Sequence, residues 1–337
     1  MTVSVIITAY NLEKYVSEAI QSVINQTRKA DEIIVVDDCS TDSTAAIIDT
    51  FGNQVKYLKM PQNSGGLSTT FYGLRNAQGD ILMFLDADDY WMPEKIESVV
   101  PLFEKFPQMG VVSHNYIRVN GVGKQLNVID DTQENIEKIL AAFHTPEEQS
   151  EAFKESILAK KGFWGGSAYS LRRSLVDIDK FEHWRQSFPF IRNTYLDLVL
   201  PTFILVNHPA IMVGYVHKEL FAYRQHGANT SGNTIPKVDA AIKALKMGHC
   251  TTMATHGLLQ KQKDYAPYAD AQYLHLLEYE YLENVYRNQK IAACKKFVYL
   301  SKKFWRRKQI LKESQRLGIS LVFGPSVFLH LKKWKVS

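Results

Sequence analysis

The chain has 337 residues, 45% of them hydrophobic, which exceeds one ordinary domain and excludes a disordered protein. Cys39, Cys250 and Cys294 are odd in number and widely spaced, which excludes a disulfide scaffold or a cysteine-pair metal site and fits free thiols in a reducing cytoplasm. The net charge of +5 is uneven: residues 289–337 carry 13 Lys or Arg against one acid, Glu313, so the body of the chain is acidic overall.

The start, Met1-Thr2-Val3-Ser4-Val5, lacks the basic opening of a signal peptide and moves at once into a strand from Val3 to Ala9. Tyr15, Val16, Ala19, Ile20, Val23 and Ile24 then recur at helical spacing. A second strand, Glu32 to Val36, ends in Asp37-Asp38, and Ser40 or Asp42 can cap a helix carrying Ala45, Ala46, Ile48 and Phe51. Val55 to Met60 is the third predicted strand, and a helix follows Gly65-Gly66. Strands alternating with helices predict right-handed crossovers and a mostly parallel, doubly wound sheet, with ligands beyond the carboxyl ends of its strands.

The fourth strand, Ile81 to Leu85, is uniformly apolar and reads as buried on both faces. Directly behind it stands Asp86-Ala87-Asp88-Asp89. Three adjacent carboxylates repel one another unless a hard cation supplies the counter-charge, and Mg²⁺ or Mn²⁺ prefer oxygen ligands. Mg²⁺ usually takes only one or two protein carboxylates and completes its octahedron with water and substrate phosphates. The cluster therefore predicts a phosphate-bearing substrate as well as a metal. The alternative is an acidic turn capping a helix that starts near Pro93.

Farther along, Glu134 to Ala142 and Glu147 to Lys160 read as a helical insertion punctuated by Pro146. Gly162-Phe163-Trp164-Gly165-Gly166-Ser167 is a glycine-aromatic stretch, and past Pro236 the pattern is helical, including Tyr273 to Tyr286. No run of 18 apolar residues predicts a membrane span.

The set VSVIITAYNLEKYVSEAIQSVINQT, EIIVVDDCSTDST, QNSGG and GDILMFLDADDYWMPEKI resembles the family 2 glycosyltransferases of the GT-A fold. These inverting enzymes move a sugar from a nucleotide diphosphate donor to an acceptor. The resemblance covers residues 2–120, with weaker echoes to about 233. It implies a GT-A domain over 1–235, with a nucleotide-sugar half (1–120) and an acceptor-side half (121–235). A helical, basic C-terminal extension would occupy 236–337.

By that resemblance Thr8, Tyr10 and Asp38 would hold the nucleotide base with Asp37 beside them, and Gly66 would lie on the donor side. Asp86 would contact the ribose, and Asp88 would hold the Mn²⁺ or Mg²⁺ bridging the diphosphate. Relatives commonly carry an arginine shortly after the Gly-Gly turn, where this chain has Ser68-Thr69-Thr70-Phe71 and its nearest arginine is Arg75. Trp164, Gly165 and Gly166 resemble the segment lining the acceptor side. Tyr195 stands in register with the usual catalytic base, and Asp197 is the only carboxylate nearby, so Asp197 is the expected base, with Glu182 or His183 as alternatives. Arg224 and His226, in a Tyr-Arg-Gln-His-Gly stretch, would reach the diphosphate or the metal.

The resemblance thus implies a cytoplasmic, metal-dependent enzyme using an NDP-sugar, UDP-linked by preference, on a glycan or lipid-linked acceptor. A nucleotidyltransferase would show a glycine-rich phosphate loop where Thr8-Ala9-Tyr10-Asn11-Leu12-Glu13 stands. A non-catalytic sugar-nucleotide-binding or scaffold protein is the other alternative, and the missing arginine and displaced base are its support. The basic tail interleaves Phe297, Trp305, Phe323, Phe328 and Trp334 with lysines and arginines, a pattern suited to the anionic inner face of a membrane. A solvated helix face is the alternative, and no nucleic-acid partner is expected.

Overall fold

The computed structural model describes residues 1–128, 131–160, 165–188, 194–226 and 238–325. The chain divides into two compact units, Met1–Arg224 and Gln225–Ser337. The boundary expected at residue 235 lies outside the described residues.

The first unit opens with β1 (Val3–Ala9), α1 (Val16–Ile24), β2 (Glu32–Asp37), α2 (Thr44–Asp49), β3 (Lys56–Lys59), α3 (Gly66–Asn76) and β4 (Ile81–Asp86). Parallel pairing runs β3-β2-β1-β4, so β1 and β4 are interior strands. Their β-branched and apolar residues are buried on both faces, as uninterrupted apolar runs require in a parallel sheet covered by helices. Val16, Ala19, Ile20 and Val23 form the buried stripe of α1 and join the core built around β1 and β4.

Beyond β4 the sheet changes direction. The chain continues through β5 (Tyr90–Trp91), α4 (Lys95–Lys105), β6 (Met109–Asn120), β7 (Gln125–Leu126), α5 (Asp131–Ala142) and α6 (Pro146–Leu158). It then forms β8 (Ser170–Arg172), α7 (Ile178–Gln186), α8 (Leu196–Asn207) and β9 (Met212–Gln225). The full strand order is β3-β2-β1-β4-β8-β6-β9-β5, with β7 paired to β6. Pairings β4–β8, β6–β8 and β5–β9 are antiparallel. The parallel half is the one expected from the sequence, and the antiparallel half had no comparable strand signal. At α6, Thr145 and Glu148 form a reciprocal capping box with Pro146 in the first turn, which fixes the helix start.

The second unit contains α9 (Val238–Leu259), α10 (Ala266–Tyr286), α11 (Lys290–Lys303) and α12 (Arg307–Phe323). Tyr281, Leu300 and Trp305 lie at its centre. The Trp305 ring stands edge-on to Tyr281 at 5.4 Å and to Phe297 at 5.6 Å, and its Nε1 donates to Glu278 at 2.9 Å. Of the aromatics expected at a membrane, Trp305 is therefore a core residue of this unit, and Phe297, half-buried, packs against that core. Phe328 and Trp334 lie outside the described residues, as does the side chain of Phe323. No described helix is long and apolar enough to cross a membrane.

Candidate active site

The carboxyl ends of β1, β2 and β4 meet at one edge of the parallel sheet. Thr8 pairs in register with Asp86, and its hydroxyl donates to Asp86 Oδ1 at 3.2 Å. Tyr10, 44% exposed, leaves its ring available for stacking. The loops after β1 and β2 are held in left-handed backbone at two non-glycine residues, Asn11 (φ 53°) and Cys39 (φ 63°). Asn11 donates its N–H to Ser40 Oγ at 2.9 Å and accepts the Thr41 N–H at 2.8 Å, which ties the two strained loops together. Such strain persists only where surrounding contacts fix it, and it concentrates at functional sites.

Asp37 and Asp38 project to opposite sides, as adjacent residues at a strand end must. Asp37 is fully buried; its carboxylate accepts the Ser40 N–H at 2.9 Å and the Tyr57 hydroxyl at 3.1 Å. It anchors the loop from inside and does not face the crevice. Asp38 accepts the N–H groups of Ser64 (2.7 Å) and Gly65 (2.8 Å), one on each oxygen. That grip holds the turn before α3, where Gly65 takes φ 85°, a value that suits glycine alone. Gly66 follows as the first residue of α3 with open space where a side chain would stand, so a ligand can approach the helix N-terminus closely.

Behind β4, the three carboxylates occupy different environments. Asp86 opens to solvent at the crevice, yet surrounding protein displaces much of its hydration. That desolvation, together with the Asp88 and Asp197 carboxylates, pushes its pKa up to about 7. Asp89 is buried, and burial followed by the charges of Asp88 and Asp86 pushes it well up. Its two oxygens accept the Ser167 hydroxyl at 2.7 Å and the Arg224 N–H at 2.9 Å.

Gly165 and Gly166 bring the acceptor-side segment against this cluster. A side chain at Gly166 would stand 3.3 Å from Asp86 Oδ2, while the Gly165 N–H donates to Asp197 Oδ2 at 3.2 Å. The two-glycine turn therefore lies between Asp86 and Asp197. Asp197 sits in the first turn of α8; burial raises its pKa, while the Gly165 N–H and the Lys160 charge pull it back. Burial in turn pushes Lys160 down to about 8. Trp164, expected beside these glycines, lies outside the described residues.

Arg224 takes a place other than the expected one. It is buried, donates Nε to the Asp88 carbonyl at 2.9 Å, pairs through Nη2 with Glu18, and lies between the rings of Tyr15 and Tyr90. It clamps the Asp86–Asp89 segment through these contacts and is closed to solvent. His226 follows β9 and belongs to the second unit.

Among the described residues, no three His, Cys, Asp or Glu side chains form a metal-binding group. The carboxylates that reach solvent in the Asp86–Asp89 segment, and so could serve as metal donors, are those of Asp86 and Asp88. That set fits Mg²⁺ or Mn²⁺, which take one or two carboxylates when substrate phosphates supply the rest, and it would not suffice for a resident structural ion.

Several participants carried no sequence signal of their own. Ser167 bridges Asp86 and Asp89. Lys95 is fully buried at the start of α4, with burial holding its pKa well below normal and Asp89 partly restoring it. Its Nζ donates to the Ser167 carbonyl and lies 3.8 Å from the centroid of Trp91. The family-like Pro-Glu-Lys context reads as an ordinary helix start, so only the fold reveals the burial.

Comparison with known proteins agrees with this architecture. The sequence pattern of glycosyl transferase family 2 matches residues 4–163. An uncharacterized glycosyltransferase of Nostoc sp. is 35% identical over 143 residues, 41% of this chain and 40% of that protein. TuaG of Bacillus subtilis, described as a candidate teichuronic acid biosynthesis glycosyltransferase, is 37% identical over 98 residues, 28% of this chain and 39% of that protein. The chain thus spans well under half the length of these relatives. The solved structure of S. aureus TarS 1–349 with UDP-GlcNAc covers 91% of this chain and 93% of its own, with TM-score 0.54 and 16% identity. The mannosyltransferase PcManGT of Pyrobaculum calidifontis, solved with GDP-Man and Mn²⁺, covers 99% and 86%, with TM-score 0.54 and 14% identity. At such identities the likeness concerns the fold. Residues 4–163 thus resemble a glycosyl transferase family 2 domain, and the fold resembles that of the GT-A glycosyltransferases.

Proposed function

We propose that the N-terminal unit is a metal-dependent, inverting glycosyltransferase that moves a hexose-type sugar from an NDP-sugar, UDP-linked by preference, to a glycan or lipid-linked acceptor. The observation that carries this reading is the Gly165–Gly166 turn set between Asp86 and Asp197. It supports a donor-side carboxylate and a base on opposite flanks of one narrow backbone passage, the arrangement an in-line displacement needs.

In this reading Tyr10 stacks on the base, Thr8 and Asp86 meet the ribose, and Asp38 acts by shaping the Ser64–Gly66 turn. Asp86 and Asp88 would hold Mn²⁺ or Mg²⁺, which offsets the negative charge left on the diphosphate when the sugar departs. Asp197 takes the acceptor hydroxyl proton as that oxygen attacks the anomeric carbon. Its raised pKa suits a base working near neutral pH. UDP-GlcNAc and GDP-Man in the TarS and PcManGT structures, and Mn²⁺ in the latter, support an NDP-sugar and a divalent ion here. The description of TuaG supports a surface glycan as acceptor.

The second unit supports action at the anionic cytoplasmic face of a membrane. On α11, Ile291, Lys295, Val298 and Lys302 are exposed along one line at helical spacing, with Tyr299, Lys303 and Phe304 beside them. These replace Phe297 and Trp305 as the residues that would meet lipid.

A thermal-shift screen of UDP-, GDP- and dTDP-sugars with Mn²⁺ tests the donor assignment. A ligand at 100-fold over its Kd adds about 2.7 kcal/mol of stability, and a UDP-sugar is expected to give the largest shift. No shift with any NDP-sugar would overturn the reading.

A further inference from the structure

Between the Asp86–Asp89 segment and the Gly165–Ala168 turn lies a set of polar contacts closed to solvent. Ser167, 1% exposed, is its hub. Its hydroxyl donates to Asp89 Oδ2 at 2.7 Å and accepts the Asp86 N–H at 3.0 Å. Its carbonyl accepts from Lys95 Nζ. Asp89 Oδ1 takes the Arg224 N–H, and the Arg224 guanidinium returns to the Asp88 carbonyl. Asp86 is thus fixed through its N–H, Asp88 through its carbonyl and Asp89 through both oxygens, while solvent reaches the side chains of Asp86 and Asp88 alone.

A fully buried ammonium is a costly way to fill space. Burying a lysine charge costs several kcal/mol after relaxation, and removing one member of a buried charged set leaves the others uncompensated. A methionine of similar length would fill the same space without compensating Asp89 or the Ser167 carbonyl. What methionine lacks is a donor for the Ser167 carbonyl and a positive charge near Asp89. Both act on the geometry of the carboxylate segment.

We infer that Ser167 and Lys95 are positioning residues, which lock the backbone of Asp86–Asp89 to the glycine turn so that Asp86 and Asp88 present their carboxylates to a divalent cation together with a diphosphate. This rests on the reading of the crevice as a metal–diphosphate site. Ser167 and Lys95 touch neither ligand and act through Asp89, Asp86 and the turn. The link also makes donor and acceptor sides one rigid piece, since the same serine belongs to the turn that passes between Asp86 and Asp197.

The test is the affinity for Mn²⁺ in the presence of UDP, read from the electron paramagnetic resonance of free Mn²⁺, on the full chain and independent of turnover. Ser167→Ala and Lys95→Met are each expected to weaken Mn²⁺ binding at least tenfold at a temperature where both variants are folded, beyond the lower melting temperature that the unpaired buried groups impose. Ser167→Thr, which keeps the hydroxyl, should recover most of the loss. Ser170→Ala serves as the packing control, because the buried Ser170 hydroxyl has no hydrogen-bond partner among the described residues, and it should bind as the parent does. Parent-like affinity in Ser167→Ala would overturn the inference even if Lys95→Met failed to fold. Loss in Ser170→Ala equal to that in Ser167→Ala would also overturn it, as a packing effect. If the parent itself bound no Mn²⁺ with UDP, the metal–diphosphate reading would fall, and this inference with it.

Discussion

Asp38 holds Gly65 by a 2.8 Å hydrogen bond from the glycine N–H, with the neighbouring Ser64 N–H on its other oxygen at 2.7 Å. A carboxylate at the end of β2 thus shapes the loop that opens α3, and its contribution to ligand binding passes through that loop. Hydrogen bonds to charged groups contribute about 1.5–3 kcal/mol each. Asp38→Ala is therefore expected to cost about 3 kcal/mol and to lower the melting temperature by about 6–12 °C, by the scaling for a unit of this size. Asp38→Asn should do nearly as much harm, since its amide nitrogen would face an N–H. Unchanged melting in both variants would remove this role.

The raised pKa of Asp86 gives a pH dependence with a definite sign. Its folded value of about 7 lies above the ordinary 3.8, so the folded protein binds the proton more tightly than the unfolded chain. The contribution of this group to stability is present in full at low pH and declines as pH rises from about 4 to about 7. Mn²⁺ requires the ionised form, so its affinity should fall as pH drops from 7.5 to 6. Melting curves and Mn²⁺ titrations of the parent and Asp86→Asn check both statements. In the variant, this part of the pH slope should vanish.

Asp197→Asn keeps an oxygen for the Gly165 N–H and removes the base. The expected result is a kcat lower by about 10²–10⁴, the usual range for general base catalysis, with donor affinity within a few-fold of the parent. Single-turnover rates and UDP titrations separate the two quantities. A loss confined to donor affinity would assign Asp197 to donor binding, and Glu182 or His183 would then deserve the same substitution.

The legibility of this protein in its sequence follows the range of its contacts. β4 and its acidic end were readable because an uninterrupted apolar run and its punctuation are local. The start of α6 was signalled by Pro146 in the same way, but its Thr145–Glu148 capping box was not. The different fates of Asp37 and Asp38 depend on which side of β2 packs inward, which adjacent identical residues do not reveal. Arg224 looked like a diphosphate ligand, and its placement behind Asp88 follows from the pairing of Tyr90–Trp91 with Phe221–Ala222, more than a hundred residues apart. Phe297 and Trp305 shared a basic, aromatic stretch with Tyr299 and Phe304, and only the packing of α10 on α11 separates core from surface.

At the membrane, each Lys or Arg near an anionic surface contributes about 1 kcal/mol. Reversing two charges in Lys302→Glu/Lys303→Glu should therefore weaken binding to phosphatidylserine-rich vesicles by at least thirtyfold, about 2 kcal/mol. Val298→Asp/Phe304→Asp should do the same by removing apolar insertion. Sedimentation with vesicles, at low and high salt, reads both. Equal sedimentation of the parent and both variants would assign α11 a solvated face.

If the crevice at the ends of β1 and β4 transfers sugar from an NDP-sugar with a divalent ion held by Asp88, nucleoside diphosphate must leave as the sugar is transferred. Release of nucleoside diphosphate from a panel of NDP-sugars, measured with acceptor glycans and lipid-linked glycans, tests it most directly. The assay is run on the parent and Asp88→Ala, with Mn²⁺ and with excess chelator. Acceptor-dependent release is expected from the parent with Mn²⁺, with loss of that release both in chelator and in the variant at unchanged melting temperature. Undiminished release by Asp88→Ala, or by the parent in excess chelator, would contradict it.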